Sequence, residues 1–309
     1  MNMPKAIIFY EIDKSFGPNI LAEYYLKQDD KIPTNILKEF SDKHIKKGYS
    51  DVTIRDENNR YYSNKINTES IDKDNLYLGF ILQEEEDLLS IKSLFDNIEQ
   101  RVIQDYSTDK KKMTEILREG LNSILSLVQK LQEPTIIKEI LNERTKKMLD
   151  DGFLQEAREL IDIGEEIPQK LAEEVKFAEQ LLAAKDYRKA KKSFLKASDL
   201  AKLVQEEKIA SFLENKGDQV GMFPDLLKER ENLQKEIFKI TSEFENNKLQ
   251  LDELLLDPID RLIEISNNFE ENEIISELSK LKTNVQRSSR LAKELEGLKN
   301  KIKENLTKI

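Results

Sequence analysis

The sequence predicts an α+β N-terminal domain, a five-stranded sheet with helices, followed by an all-α region of helical hairpins and then an antiparallel coiled-coil hairpin. Three observations predict it. The strand patterns all lie before residue 84, and six of the nine Tyr fall between Tyr10 and Tyr62. After residue 84 the apolar residues recur with the 3.6-residue period of a helix. In residues 223–309 they recur every seven, the repeat of a coiled coil. The expected domain bounds are 1–133, 134–222 and 223–309.

The first elements follow from local pattern. Residues 5–12 are an apolar run of the kind a strand buried on both faces carries. Residues 19–26 are rich in β-formers, and Gly17-Pro18 between the two runs marks a turn, so a hairpin is expected. Its aromatics, Phe9, Tyr10, Tyr24 and Tyr25, are expected to supply core on one sheet face. Pro33-Thr34 opens a helix that places Ile36, Leu37, Phe40 and Ile45 on one face, and Gly48 stops it. Residues 51–55 and 61–66 are short strands around a polar turn, and 75–83 is the most apolar strand, expected at the centre. The acidic run 84–87 suits a helix start, where the macrodipole favours negative charge. Leu88, Ile91, Phe95, Ile98, Val102 and Tyr106 form one helical stripe. Met113, Ile116, Leu117, Leu121, Ile124, Val128 and Leu131 form the next, and Pro134 ends it.

The order is strand, strand, helix, three strands, then two helices. This order resembles a longin domain, a small module of membrane trafficking, and the stretch through Tyr10, Asp13, Phe16, Gly17-Pro18 and Leu21 resembles its first hairpin. The resemblance covers the first expected domain, 1–133. It implies partners among small Ras- or Arf-like GTPases. It also implies contact through an edge strand or the first helix, hence through Tyr24, Tyr25, Leu37 and Phe40.

The middle contains a repeat. Gly152, Leu154, Ala157, Ile161 and Gly164 align, at one constant offset, with Lys185, Tyr187, Ala190, Phe194 and Ala197. With Ala178, and with Pro134 and Pro168 one repeat length apart, this resembles the tetratricopeptide pattern. Small side chains let paired helices approach and large ones fill the flanking holes. The first unit departs from the pattern at Thr145 and Leu154. The resemblance implies that residues 138–150 and 172–184 line a peptide groove, with the units ending at the prolines.

In the last segment Leu226, Leu233, Ile240, Asn247 and Leu254 are spaced by seven, with Arg230, Ile237, Phe244 and Leu251 between them. Pro258 interrupts the series. Ile274, Leu281, Ser288, Leu295, Ile302 and Ile309 resume it. Pairing within one chain and pairing between two chains are both open at this point.

Composition limits the chemistry. The 309 residues include no Cys, no Trp and one His, with 36% charged residues and a net charge of −10. Without Cys there is neither thiolate nucleophile nor thiolate zinc site. His44 has no adjacent nucleophile and orienting carboxylate in sequence, so it is expected as a boundary residue at the edge of its helix's apolar face. No phosphate-cradling glycine motif is present, and no apolar run is long enough to cross a bilayer. No catalytic residue, metal or cofactor is therefore expected. The negative balance works against nucleic-acid binding. The N-terminus lacks a signal-peptide pattern, which places the protein in the cytoplasm as an expectation. One local cluster opposes the overall sign: Lys185, Arg188, Lys189, Lys192 and Lys196 share a broad helix face. That face suits an acidic peptide, the anionic lipid headgroups of a membrane surface, or phosphate. The expected function is a non-enzymatic interaction adaptor linked to small GTPases, the rival being a coiled-coil scaffold that oligomerises.

Overall fold

The computed structural model describes residues 4–13, 15–27, 31–56, 59–68, 71, 73–83, 88–243 and 253–307. The acidic run 84–87 and the seam positions Phe244, Asn247, Leu251 and Ile309 lie outside the described residues. The chain divides into two compact units, residues 1–222 and 223–309. An N-terminal five-stranded sheet leads into a region whose described elements are all helices, as the sequence predicts.

Strands β1 (Ala6–Asp13), β2 (Gly17–Tyr25), β3 (Asp51–Arg55), β4 (Asn59–Lys65) and β5 (Leu76–Gln83) form an antiparallel sheet ordered β2-β1-β5-β4-β3. β5 lies at the centre, with Ile8 opposite Gly79 and Phe80 opposite Tyr62. Both faces of the sheet are covered, which is why β1 and β5 read as continuous apolar runs instead of alternating. On one face Ala6, Ile8, Tyr10, Ile12, Tyr61 and Tyr77 pack under Ile36 and Phe40 of helix α1 (Thr34–Ser41). On the other, Ile7, Phe9, Tyr62, Leu78 and Phe80 pack under α2 (Leu88–Gln104) and α3 (Lys110–Gln132). The hairpin aromatics therefore divide between the faces: Phe9 and Tyr24 go to one, Tyr10 and Tyr25 to the other. The single-face expectation fails because side chains alternate along a strand.

The second core continues without a break from the sheet through α2 and α3 to α4 (Pro134–Asp150), α5 (Leu154–Ala183), α6 (Tyr187–Leu203) and the start of α7 (Glu207–Glu243). Pro134 occupies the first turn of α4, where its missing N–H costs nothing. Pro168 departs from expectation. It lies inside α5, not at the end of a unit. The reason is that one buried stripe runs straight through it: Ala157, Leu160, Gly164, Pro168, Leu171, Val175 and Ala178. Burying that stripe offsets the roughly 3 kcal/mol an internal proline costs. Both hairpins are nevertheless present. α4 lies along the first half of α5, close enough that a Cβ on Gly164 would lie 3.6 Å from the Leu141 side chain. α6 lies along the second half, with Lys196 bonded to Glu174. The two units are fused through one helix where a turn would separate them.

The internal repeat takes the form of a recurring turn. After α4, Gly152 has φ +83°, and after α5, Lys185 has φ +59°. Phe153 N–H donates to Met148 and Gly152 N–H to Leu149; Asp186 N–H donates to Leu181 and Lys185 N–H to Leu182. This is a Schellman turn, which satisfies the last carbonyls of a helix. It recurs after α6, with Gln205 at φ +58°. α7 approaches α6 closely because Gly217 has no side chain: a Cβ there would lie 3.2 Å from that of Phe194.

In the second unit, α8 (Leu256–Asn268) follows one 3₁₀ turn, Glu253–Leu255, and leads into α9 (Asn272–Leu306). Pro258 sits in the first turn of α8, where a proline is tolerated. A fourth Schellman turn, with Glu270 at φ +56°, reverses the chain. An antiparallel hairpin forms between α8 and α9, with its turn after Asn268 and not at the expected break around Pro258: Asp260 pairs with Lys282 at 2.5 Å and Glu253 pairs with Lys293. Arg230 on α7 donates to both carboxylate oxygens of Glu271 at 2.9 Å and lies over the Phe269 ring.

A residue other than glycine at left-handed φ costs about 1 kcal/mol. Gln205→Gly is therefore expected to stabilise the first unit by about 0.5–1 kcal/mol, and Gly152→Ala to destabilise it by about 1 kcal/mol. Denaturant midpoints measure both changes; a loss of stability in Gln205→Gly would contradict the turn assignment.

Candidate functional site

The basic face of α6 is built by its turn and its buried stripe. Asp186 caps the helix, its carboxylate accepting from Lys189 N–H at 3.3 Å. Ala190, Ser193, Phe194, Ala197, Ser198 and Ala201 face the core. The opposite side is left to Arg188, Lys189, Lys192 and Lys196, with Lys185 in the preceding turn, and all five are exposed. They are not equivalent. Lys189 pairs with Asp186 at 2.8 Å, an interaction that raises the lysine's pKa and lowers the aspartate's. Lys196 pairs with Glu174 of α5 at 2.6 Å. The neighbouring Lys191 pairs with Asp218 of α7 at 2.9 Å. Among the described residues, Lys185, Arg188 and Lys192 have no carboxylate within salt-bridge distance. Three uncompensated cations thus remain at one end of the helix. The groove-lining segments implied by the repeat resemblance, 138–150 and 172–184, fall in α4 and the second half of α5.

The sheet-domain candidates are placed differently. Leu37 and Phe40 are core residues: Phe40 has no exposure and its ring stacks on Tyr10 with centroids 6.3 Å apart. The apolar stripe that predicts the helix is the stripe that the sheet buries, so neither side chain faces outward. Tyr24 and Tyr25 are half-buried on opposite faces of β2, an edge strand, and Tyr25 donates to Glu23 at 2.9 Å. The most outward aromatic of the hairpin is Phe16, 93% exposed at the β1–β2 turn. The Asp13 carboxylate fixes that turn by accepting from Ser15 and Phe16 N–H at 2.7 and 2.9 Å. Its position between Asp13 and Gly17 marked it as a turn residue, and that was the available signal.

His44 is buried, with Ile45 exposed in its place. It lies in a π-helical turn (Asp42–Lys46) that continues α1, and its hydrogen bonds run in one direction only. Nδ1 lies 2.7 Å from the Tyr49 carbonyl, which can only accept, so Nδ1 carries the proton. Nε2 is therefore an acceptor, and Ser63 donates to it across 2.9 Å. Tyr10 in turn donates to Ser63 Oγ across 2.6 Å. Ser63 has no exposure, so this serine–histidine pair has no path to a substrate and serves the core. Desolvation holds the imidazole pKa down to about 4.

A cleft runs between α2, α3 and the start of α7. Two adjoining hollows of about 380 and 400 Å³ share Arg101, Ser123, Leu127 and Lys208. Its apolar lining includes Leu94, Ile98 and Ile124. Arg101 pairs with Glu119, and Lys130 with Glu206 at 2.8 Å, so the charges on its walls largely offset one another. No sequence window contains this cleft, since three distant helices make it. Among the described residues no group of three metal-ligating side chains occurs, and no helix is long and apolar enough to cross a membrane.

The chain matches no known protein family, no curated protein and no solved structure.

His44 provides a direct check on the buried network because it is the one histidine in the sequence. Unfolded, it titrates near pH 6.5; folded, near 4. Between those values the unfolded chain binds more protons. The His44 contribution, about 3 kcal/mol, is full above pH ~6.5 and declines as pH falls toward 4. Its imidazole NMR resonances are expected not to titrate between pH 8 and pH 5; a midpoint near 6.5 would mean a hydrated ring.

Proposed function

We propose that the protein is a non-enzymatic adaptor. Its longin-like sheet domain engages a small GTPase of the Ras or Arf class, and the free end of the α6 basic face meets an anionic membrane surface from the cytoplasmic side. The observation that carries this reading is the element order β1-β2-α1-β3-β4-β5-α2-α3, which is the order the longin resemblance requires. The edge position of β2, with Phe16 at its turn and Leu26 42% exposed at its end, supports contact there. The uncompensated charges of Lys185, Arg188 and Lys192 support the second contact. Nucleic acid is not among the proposed partners. A second reading, a scaffold that self-associates, is favoured by one observation: large aliphatic side chains stand exposed along the end of α9.

Two measurements test the adaptor reading. A pull-down with small GTPases loaded in each nucleotide state is expected to enrich at least one GTPase in one state; enrichment in neither state would sink this assignment. Basic residues near a membrane contribute about 1 kcal/mol each. Arg188→Glu with Lys192→Glu is therefore expected to weaken co-sedimentation with phosphatidylserine vesicles by about 30-fold or more. Lys189→Gln combined with Asp186→Asn, which removes a pair whose charges already cancel, is expected to do much less. Equal binding by all three proteins would remove α6 from the membrane contact.

A further inference from the structure

The end of α9 carries an apolar seam. Leu291, Leu295, Leu298, Ile302 and Leu306 are 50%, 44%, 57%, 59% and 66% exposed. At about 100° per residue, the first four lie within roughly 60° of one another around the helix. Val285, which α9 buries, lies about 120° away from Leu291, so this is a different face of the helix. The hydrogen-bonded contacts with the preceding segment reach Ser289 and Lys293, both against Glu253. Leu295, Leu298, Ile302 and Leu306 come after them.

The seam has the dimensions of a helix-sized partner. A helix lying in a membrane interface, like one packed on a globular core, presents a broad apolar face of about 100° or more. A seam spaced four, three and four residues is the narrow stripe of a coiled coil. Assigning Leu295 and Ile302 to a positions makes Leu291, Leu298 and Asn305 d positions, Glu294 a g position and Lys299 an e position. In a parallel, in-register pair, each g residue faces the e residue five positions later on the other helix. Glu294 then meets Lys299 of the second copy, and the two-fold axis repeats the pair. Asn305, a polar d position, meets its own equivalent across the two-fold axis.

We propose that residues 291–306 pair with the same residues of a second copy of this chain as a parallel two-stranded coiled coil. This does not rest on the adaptor reading: GTPase capture and self-association are measured separately. The absence of Cys from the sequence makes a single introduced thiol an unambiguous reporter. Sedimentation equilibrium of the full chain is expected to give twice the 36.1 kDa chain mass, and Leu298→Glu to return it to the single-chain value. Circular dichroism of Leu298→Glu should match that of the parent, since this side chain is exposed in the single chain. Mild oxidation is expected to cross-link Asn305→Cys into a dimer and leave Asn300→Cys, on the opposite face, largely uncross-linked. A single-chain mass up to about 100 μM would overturn the proposal and assign the seam to other residues or to another protein. A double mass that Leu298→Glu leaves unchanged would place the interface elsewhere. A double mass without Asn305→Cys cross-linking would overturn the parallel arrangement.

Discussion

A lysine ammonium with no exposure to water stands where four helices meet. Lys216 of α7 donates to Ser90 of α2 at 2.9 Å and to Glu179 of α5 at 2.6 Å. The rings of Phe194 and Phe212 lie 5.1 and 5.9 Å from its charge. A buried ammonium is tolerated only when such partners surround it. The arrangement therefore requires α2, which belongs to the sheet domain, and α5, α6 and α7 to be in place together. Ser93 of α2, bonded to Gln219 at 3.1 Å, reinforces the junction. The sheet domain and the helical hairpins consequently share one core, and residues 1–222 form one compact unit.

Much of this was legible in the sequence, for identifiable reasons. Apolar runs, β-formers and turn residues located the strands, and period located the buried stripes of α1, α2 and α3, because in those elements a local pattern decides which side chains face the core. Gly17 and Gly48 could be read as a turn and a helix stop because glycine is the residue that adopts left-handed φ at least cost. Lys185, Gln205 and Glu270 adopt the same conformation without that signal, so only the alignment of Lys185 with Gly152 hinted at the first of them. Pro168 misled because proline usually marks an end; the apolar period across it carried the stronger information. Lys216 and the cleft were illegible, since both depend on residues far apart in sequence.

The candidate site shows the same division. The basic cluster was visible as composition, yet composition could not separate three free cations from those bound by Asp186 and Glu174. That separation came from helix pairing, which sets the Glu174 carboxylate of α5 beside Lys196 and the Asp218 carboxylate of α7 beside Lys191. In a chain of net charge −10, the absence of a local counter-charge is more informative than the number of lysines. Leu37 and Phe40 illustrate the opposite error. An apolar helix face looks the same in sequence whether it will bind a partner or its own sheet.

The fused helix α5 also has a mechanical consequence. Two hairpins joined by a loop would turn independently, each strained only by its own neighbours. Here a torque on one hairpin reaches the other through an unbroken rod of 30 residues, about 45 Å long. The rod's most compliant point is set in advance: Pro168 offers no amide to the Gly164 carbonyl, so one rung of the helix is already missing there. Any bending of the rod is thus directed to the joint between the two hairpins and away from their packed halves.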